Sequence, residues 1–295
     1  MTKDEIGNSA ARLLLGQRLR RLRVSRGVHS EDAARQTGLA QATLWRMEQG
    51  DARCRFKPDD VATLARFYSA DKPTIDAMVE LAKSARRLTW AGGYRDLLSP
   101  VEETYLDLEA YAVRVRSHVT AQVPELLQTE DYATALIRAS RLLRSYDAAK
   151  HTRVRLLRQE ILTRDPQPAR FEFLLDETAL RRVVGRPAVL RAQLQALIDR
   201  AALPSVSVRV IPHQAGMCPN WETGAFTLLD FPTGTPFGAL PSAVHLNHHG
   251  DHVLLDKPAA VTRYEEAWDD ASAYALDHTG TQQLVADTIN QLRDR

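Results

Sequence analysis

Residues 30–50, SEDAARQTGLAQATLWRMEQG, constrain this chain more than any other stretch. Ser30 suits a helix N-cap, and Glu31 and Asp32 suit the positive end of the helix that follows. Ala33 and Ala34 are small enough for a second helix to cross closely. Gly38 can take the left-handed conformation that ends the first helix, and Gly50 closes the second. Leu39, Leu44 and Met47 supply the apolar positions. Two short helices around a glycine turn make a helix-turn-helix, whose second helix can enter the major groove of DNA.

The flanks extend this pattern. Leu15, Leu19 and Leu22 have the spacing of an amphipathic helix over 11–26, stopped by Gly27. Helices over 30–37 and 41–49 follow, and Lys57-Pro58-Asp59-Asp60 opens a fourth. Ile75, Met78, Val79 and Ala82 mark a fifth, from about Pro73 to Leu88. The prediction is an all-α domain of five helices over 1–88. Its charge is distinctive. Residues 1–90 hold 17 Lys+Arg against 11 Asp+Glu, and the rest of the chain holds 22 against 26. A basic head on an acidic body fits a nucleic-acid module joined to a domain with another task. Arg12, Arg18, Arg20, Arg21, Arg23 and Arg26 share the first helix, and no acid lies between Glu5 and Glu31. Arg53, Arg55 and Lys57 form a second basic patch suited to phosphate contact.

Residues 12–85 resemble the Xre/Cro-type family of bacterial and phage repressors. The family motif stands here as Ala33-Ala34, Gly38, Leu44 and Glu48-Gln49-Gly50, and Arg23 matches the arginine that pairs with the glutamate in many members. The resemblance implies a largely buried Arg23–Glu48 ion pair of structural role. It assigns base reading to Gln41, Ala42, Trp45 and Arg46. Gln can bridge adenine N6 and N7, and Arg can bridge guanine O6 and N7. Trp45 could instead pack on a neighbouring helix. Phosphate contacts fall to Arg18, Arg21, Ser30, Thr43, Arg53, Arg55 and Lys57. Ala40 departs from the family, which usually caps this helix with Ser or Thr.

Beyond a linker at 89–101, the 44% hydrophobic content leaves ample material for a second core over 102–295. Periodicity predicts helices at Glu102–Val119, from Thr129, over 147–163, at Glu177–Val184, Ala188–Ala201, Val261–Ala275 and Gln282–Leu292. Alternation predicts strands at Phe171–Leu175, Val206–Ile211, Phe226–Phe231, Ala243–Leu246 and Val253–Leu255. The expected fold is α+β with a small, mostly antiparallel sheet.

The stretches VPELLQTEDYA (123–133), RLLRQEIL (155–162), LLDETALRRVVG (174–185), VSVRVIPHQAG (206–216) and GAFTLLDFP (224–232) resemble one family closely. It is the set of actinobacterial antitoxin-like transcriptional regulators, of the Streptomyces type, that join an Xre-type head to this C-terminal domain. The resemblance implies a DNA-binding regulator, often encoded beside a small partner protein and associated with development and secondary metabolism. The last strand departs from the family, reading Val244-His245-Leu246-Asn247 where an acidic residue usually ends it.

His245, His248, His249 and His252 cluster around Asp251, but their spacing matches no structural zinc motif. A polar hairpin loop with exposed histidines and Gly250 in the turn is the simpler expectation. Gly216, Cys218, Pro219, Asn220 and Trp221 form a loop that could line a pocket with His213. No GxSxG, Walker or GxGxxG signature occurs, so no enzyme, cofactor or metal is expected. No segment has the length of a membrane span, MTKDEIGNSA lacks the core of a secretory signal, and Cys54 and Cys218 read as free thiols. The expectation is a cytoplasmic, nucleoid-associated homodimer that binds a double-stranded operator. Its C-terminal domain would dimerise and receive a signal from a small partner protein. Two alternatives are a repressor sensing a small molecule in that domain, and the antitoxin-like half of a two-protein module.

Overall fold

The computed structural model describes residues 8–51, 54–85, 93–94, 96–140, 147–163, 169–219, 221–233, 240–248 and 250–292. Contacts divide the chain into two compact units, Met1–Ala112 with Phe231–Pro241, and Val113–Asp230 with Ser242–Arg295. Parts of the expected linker at 89–101 lie outside the described residues.

The first unit is helical: α1 Asn8–Ser25, α2 Ser30–Thr37, α3 Gln41–Glu48, α4 Pro58–Phe67, α5 Lys72–Ser84 and α6 Pro100–Tyr111. Its core buries Leu14, Leu15 and Leu19 of α1 with Leu44 and Met47 of α3, Leu64 of α4 and Met78 of α5. Ser30 is not the N-cap of α2. His29 holds that place with extended backbone, and Ser30 begins the helix. Gly38 has φ +73° and returns its N–H to Ala34 O, so the turn ends as its glycine demands.

Gly16 had no signal in the sequence beyond being a glycine inside a helix. A Cβ there would lie 2.5 Å from Met47 O and 2.9 Å from Glu48 O and Gly50 N. The α1 backbone thus rests directly on the end of α3. Gly50, at φ +64°, meets α1 from the other side, since a Cβ would lie 3.0 Å from Leu13 Cα.

The second unit contains β1 Arg114–Val119, α7 Glu130–Ala139, α8 Ala148–Arg158, β2 Arg170–Asp176, α9 Thr178–Arg181, α10 Pro187–Ala201, β3 Val206–Ile211, β4 Phe226–Asp230, β5 Ala243–His248, β6 Asp251–Leu255, α11 Pro258–Tyr274 and α12 His278–Gln291. The sheet has six strands in the order β3-β2-β1-β4-β5-β6. It is mixed, not mostly antiparallel: β1, β2 and β3 run parallel, and β4 to β6 alternate. The helices between β1 and β2, and between β2 and β3, return the chain to the same end of the sheet, as parallel pairing requires.

The continuous helix expected over Glu102–Val119 is also corrected. The helix ends at Tyr111, and Arg114–Val119 forms β1, in the interior of the sheet. Arg114 and Arg116 carry charge into this strand. Their partners are distant in sequence. Arg114 Nε lies 2.7 Å from Glu172 Oε1, and Arg116 Nη2 lies 3.1 Å from Asp230 Oδ2 and 3.5 Å from Glu265 Oε1. The helix expected over 147–163 also tightens, to a 3-10 turn at Gln159–Thr163.

One face of the sheet packs Leu174, Phe226, Leu228, Val244 and Leu246 against Val261, Trp268 and Ala271 of α11. At the β3 edge, Thr281 Oγ1 accepts from Val210 N and Leu276 N donates to Val210 O. Arg209 there donates to Ser272 O in the last turn of α11 and to Ala275 O and Leu276 O just beyond it. Among the described residues no helix is long and apolar enough to cross a membrane.

Gly16→Ala should destabilise the protein by about 2 kcal/mol through overpacking at the α1–α3 crossing. Chemical denaturation followed by far-UV circular dichroism reads this directly, and an unchanged midpoint would contradict the crossing.

Candidate functional site

Helix α3 has two faces. Leu44, Met47 and Glu48 are buried, and Gln41, Ala42, Trp45 and Arg46 are exposed. The 3.6-residue period makes this division, because 41, 42, 45 and 46 fall on one side. Trp45 is 58% exposed, so it does not pack away on a neighbouring helix. Thr43 is half-buried. Ala40 supplies no side-chain cap. Gln41 Nε2 instead reaches Glu31 Oε1 at 3.4 Å, placing an acid from α2 beside this face.

The inner side of α3 is held by charge. Arg23 Nε donates to Glu48 Oε1 at 2.6 Å and Nη2 to Oε2 at 2.8 Å, a two-pronged pair, and Nη1 reaches Val28 O at 3.0 Å. The hydrogen bond to Glu48 raises the guanidinium pKa against the opposing effect of burial. The Tyr68 phenol is pushed up to about 12 by burial and then by the Glu48 carboxylate. Among the described residues its hydroxyl has no hydrogen-bond partner. A buried guanidinium–carboxylate fork fixes both helix position and rotation.

The basic candidates differ in exposure. Arg21, Arg55 and Lys57 are exposed, while Arg18 and Ser30 are half-buried. The Asp71 carboxyl is held low first by hydrogen bonds with Thr74 and also by the charge of Arg18, which places Arg18 near the start of α5. The Cys54 thiol is raised by burial and by Asp51, and Arg46 opposes this; the segment before α4 therefore lies close to α3. Arg53 lies outside the described residues.

In the second unit, stretches far apart in sequence meet in one polar network. Gln128 Nε2 donates to Val123 O at 2.8 Å, and Gln128 Oε1 accepts from Arg155 at 3.0 Å. Glu125 accepts from Arg158 and lies 3.1 Å from Arg155. Gln159 Nε2 reaches the carbonyls of Glu125 and Gln128, and Arg200 bonds Gln128 O and Gln159 Oε1. Gln193 accepts from Thr129 N and donates to Leu127 O. VPELLQ and RLLRQ are thus two sides of one structure. Gln193 and Arg200, on α10, carried no sequence signal. Burial alone would raise the Glu125 carboxyl, but Arg155 and Arg158 outweigh it and hold it at about 2.

The expected exposed histidine loop is corrected here. His245 is buried, with Nε2 2.9 Å from His252 Nδ1 and the two rings stacked at 5.1 Å. Burial, then His252 and Arg158, push His245 down to about 3. His249 lies outside the described residues. Among the described residues no three His, Cys, Asp or Glu side chains are grouped to hold a metal.

His213 and Cys218 approach the same carboxylate at the end of β2. His213 Nε2 lies 3.8 Å from Asp176 Oδ1 and 3.1 Å from Thr178 Oγ1, while His213 N donates to Glu177 Oε2 at 2.7 Å. Burial and then Asp176 raise the Cys218 thiol. Trp221 lies in a 3-10 turn at Trp221–Thr223, and its side chain is outside the described residues.

A helix-turn-helix with an exposed second helix defines a class, the DNA-binding regulators, and residues 14–78 match the profile of a helix-turn-helix domain. Residues 103–287 match the family described as a domain of unknown function, DUF5753, and the chain belongs to that family. No curated protein and no solved structure matches the chain.

Glu48→Gln keeps the shape of the fork but leaves Arg23 without its countercharge. It should cost roughly 3 kcal/mol in a denaturant titration, and a loss below 1 kcal/mol would show the pair to be dispensable. The pH dependence has a definite sign. His245 and Glu125 bind protons more weakly in the folded state than at their ordinary values of 6.5 and 4.5. Their contribution is complete above about pH 6.5 and is lost as the pH falls toward the folded values. His245 alone gives a slope of about 1.4 kcal/mol per pH unit between those limits. His245→Asn should flatten that slope in urea titrations from pH 6.5 to 4.5.

Proposed function

We propose that this protein is an Xre-type, sequence-specific transcriptional regulator of actinobacterial antitoxin-like type. It reads a double-stranded operator with Gln41, Ala42, Trp45 and Arg46. The observation that carries this reading is the exposed face of α3, four side chains on one side of a helix pinned from behind by Arg23–Glu48. Gln41 and Arg46 offer bidentate contacts to adenine and guanine, while Ala42 and Trp45 offer apolar contact to a thymine methyl. Arg21, Ser30, Arg55 and Lys57 then serve the phosphates, with the half-buried Arg18 and Thr43 at the margin. The second domain dimerises and takes a signal from a small partner protein encoded nearby. Two heads related by a two-fold would meet major-groove faces roughly 34 Å apart. The setting is the cytoplasm, at the nucleoid, with no enzymatic step, cofactor or metal.

Selection from randomised duplex DNA supplies the operator. Gln41→Ala and Arg46→Ala should each weaken operator binding by about 1–3 kcal/mol and relax the preference at one base position, with little effect on random duplex. Arg21→Ala should weaken both kinds of DNA alike and reduce the salt dependence. Equal losses on operator and random DNA for Gln41→Ala and Arg46→Ala would remove base reading from α3.

A further inference from the structure

The two edges of the sheet are treated differently. At β3, the turn between α11 and α12 occupies the backbone groups of Val210. At β6, the described residues show pairing with β5 alone. That strand carries an apolar centre, Val253-Leu254-Leu255, with Val253 39% exposed. An apolar strand with an open row of N–H and C=O groups is a template for another strand.

The residues of this edge specify its occupant. Asp251–Lys257, which is β6 followed by Asp256 and the extended N-cap Lys257 of α11, reads DHVLLDK. Turned antiparallel on itself about Leu254, it sets Asp251 opposite Lys257, His252 opposite Asp256, and Val253 opposite Leu255. Asp251 meets its countercharge in Lys257, Asp256 stands across from the imidazole of His252, and every apolar side chain meets another. The backbone phase agrees with this register. The two-residue connection 249–250 closes on the pair His248–Asp251. Such a connection closes on a hydrogen-bonded pair, so residues 251, 253 and 255 direct their backbone groups to β5, and 252, 254 and 256 direct theirs outward. A two-fold axis at Leu254 therefore falls on an outward hydrogen-bonding position.

We propose that β6 joins two copies of this chain edge to edge, antiparallel about Leu254, into one continuous sheet with about six new backbone hydrogen bonds. The contact is isologous and closes at two copies. It rests on the dimeric-regulator reading above and names the surface that makes the dimer.

Sedimentation equilibrium of the full-length protein at low ionic strength tests it, with thermal melting of each variant as the check on folding. The unaltered chain should be dimeric at micromolar concentration. Asp251→Lys and Lys257→Asp each bring like charges together at both ends of the pairing and should raise the dimer dissociation constant roughly ten-fold. The double variant reverses both charges and should restore the original constant. A dimer that ignores both single changes would overturn the β6 contact while leaving dimerisation in place. Weakening without rescue in the double variant would overturn the register. A monomer at all concentrations would remove the dimer itself, and DNA reading by Gln41 and Arg46 would still be decided separately on duplexes.

Discussion

The second domain depends on the neutralisation of β1. This strand sits inside the sheet with a parallel neighbour on one side and an antiparallel one on the other, yet it carries Arg114 and Arg116. A guanidinium taken out of water destabilises a fold unless it is paired and hydrogen-bonded. Glu172 on β2 and Asp230 on β4 provide that pairing from both sides. Because both carboxylates come from flanking strands, the charges also fix the register of the three strands. The parallel half then needs crossover helices, and the polar network of Glu125, Gln128, Arg155, Gln159 and Arg200 joins two of those crossovers. Its members bond largely to backbone carbonyls, so they satisfy irregular chain that no strand or helix covers.

The helical unit solves a different problem. A helix that presents one face outward must be held rigid and yet leave most of that face uncovered. Here the rigidity comes from behind, through the Arg23–Glu48 fork and the close crossing at Gly16 and Gly50. None of these residues occupies the outward face. A helix held in this way loses little conformational freedom on meeting a ligand, which favours affinity. Glu31 beside Gln41 puts an acid at the margin of that face, and its contact orients the amide.

Legibility followed the range of the interactions. The helices α2 and α3, the left-handed turn at Gly38 and the division of α3 into faces rest on neighbours three or four residues apart, and the sequence displays them. Strands β2 to β6 showed their apolar alternation. The strand β1 did not, because its arginines look solvated until Glu172 and Asp230 are placed beside them. His245 and His252 of the β5–β6 hairpin looked exposed for the same reason, while His248 is exposed as expected. His245 and His252 are burdensome to bury singly, but each provides the other with a hydrogen bond and a stacking surface. Gly16 looked like an ordinary helical glycine, and only the backbone of α3 explains it.

The sequence by itself determined the helix-turn-helix, the basic head and acidic body, and which side chains of α3 face outward, because period and charge are local properties. Tertiary structure decided the mixed sheet, the burial of His245, the meeting of VPELLQ with RLLRQ, and the place of β6 at the end of the strand order. Each of those depends on which distant residue supplies a countercharge or a backbone partner. Such pairings are set by three-dimensional proximity, which the linear order of residues does not encode in any short window.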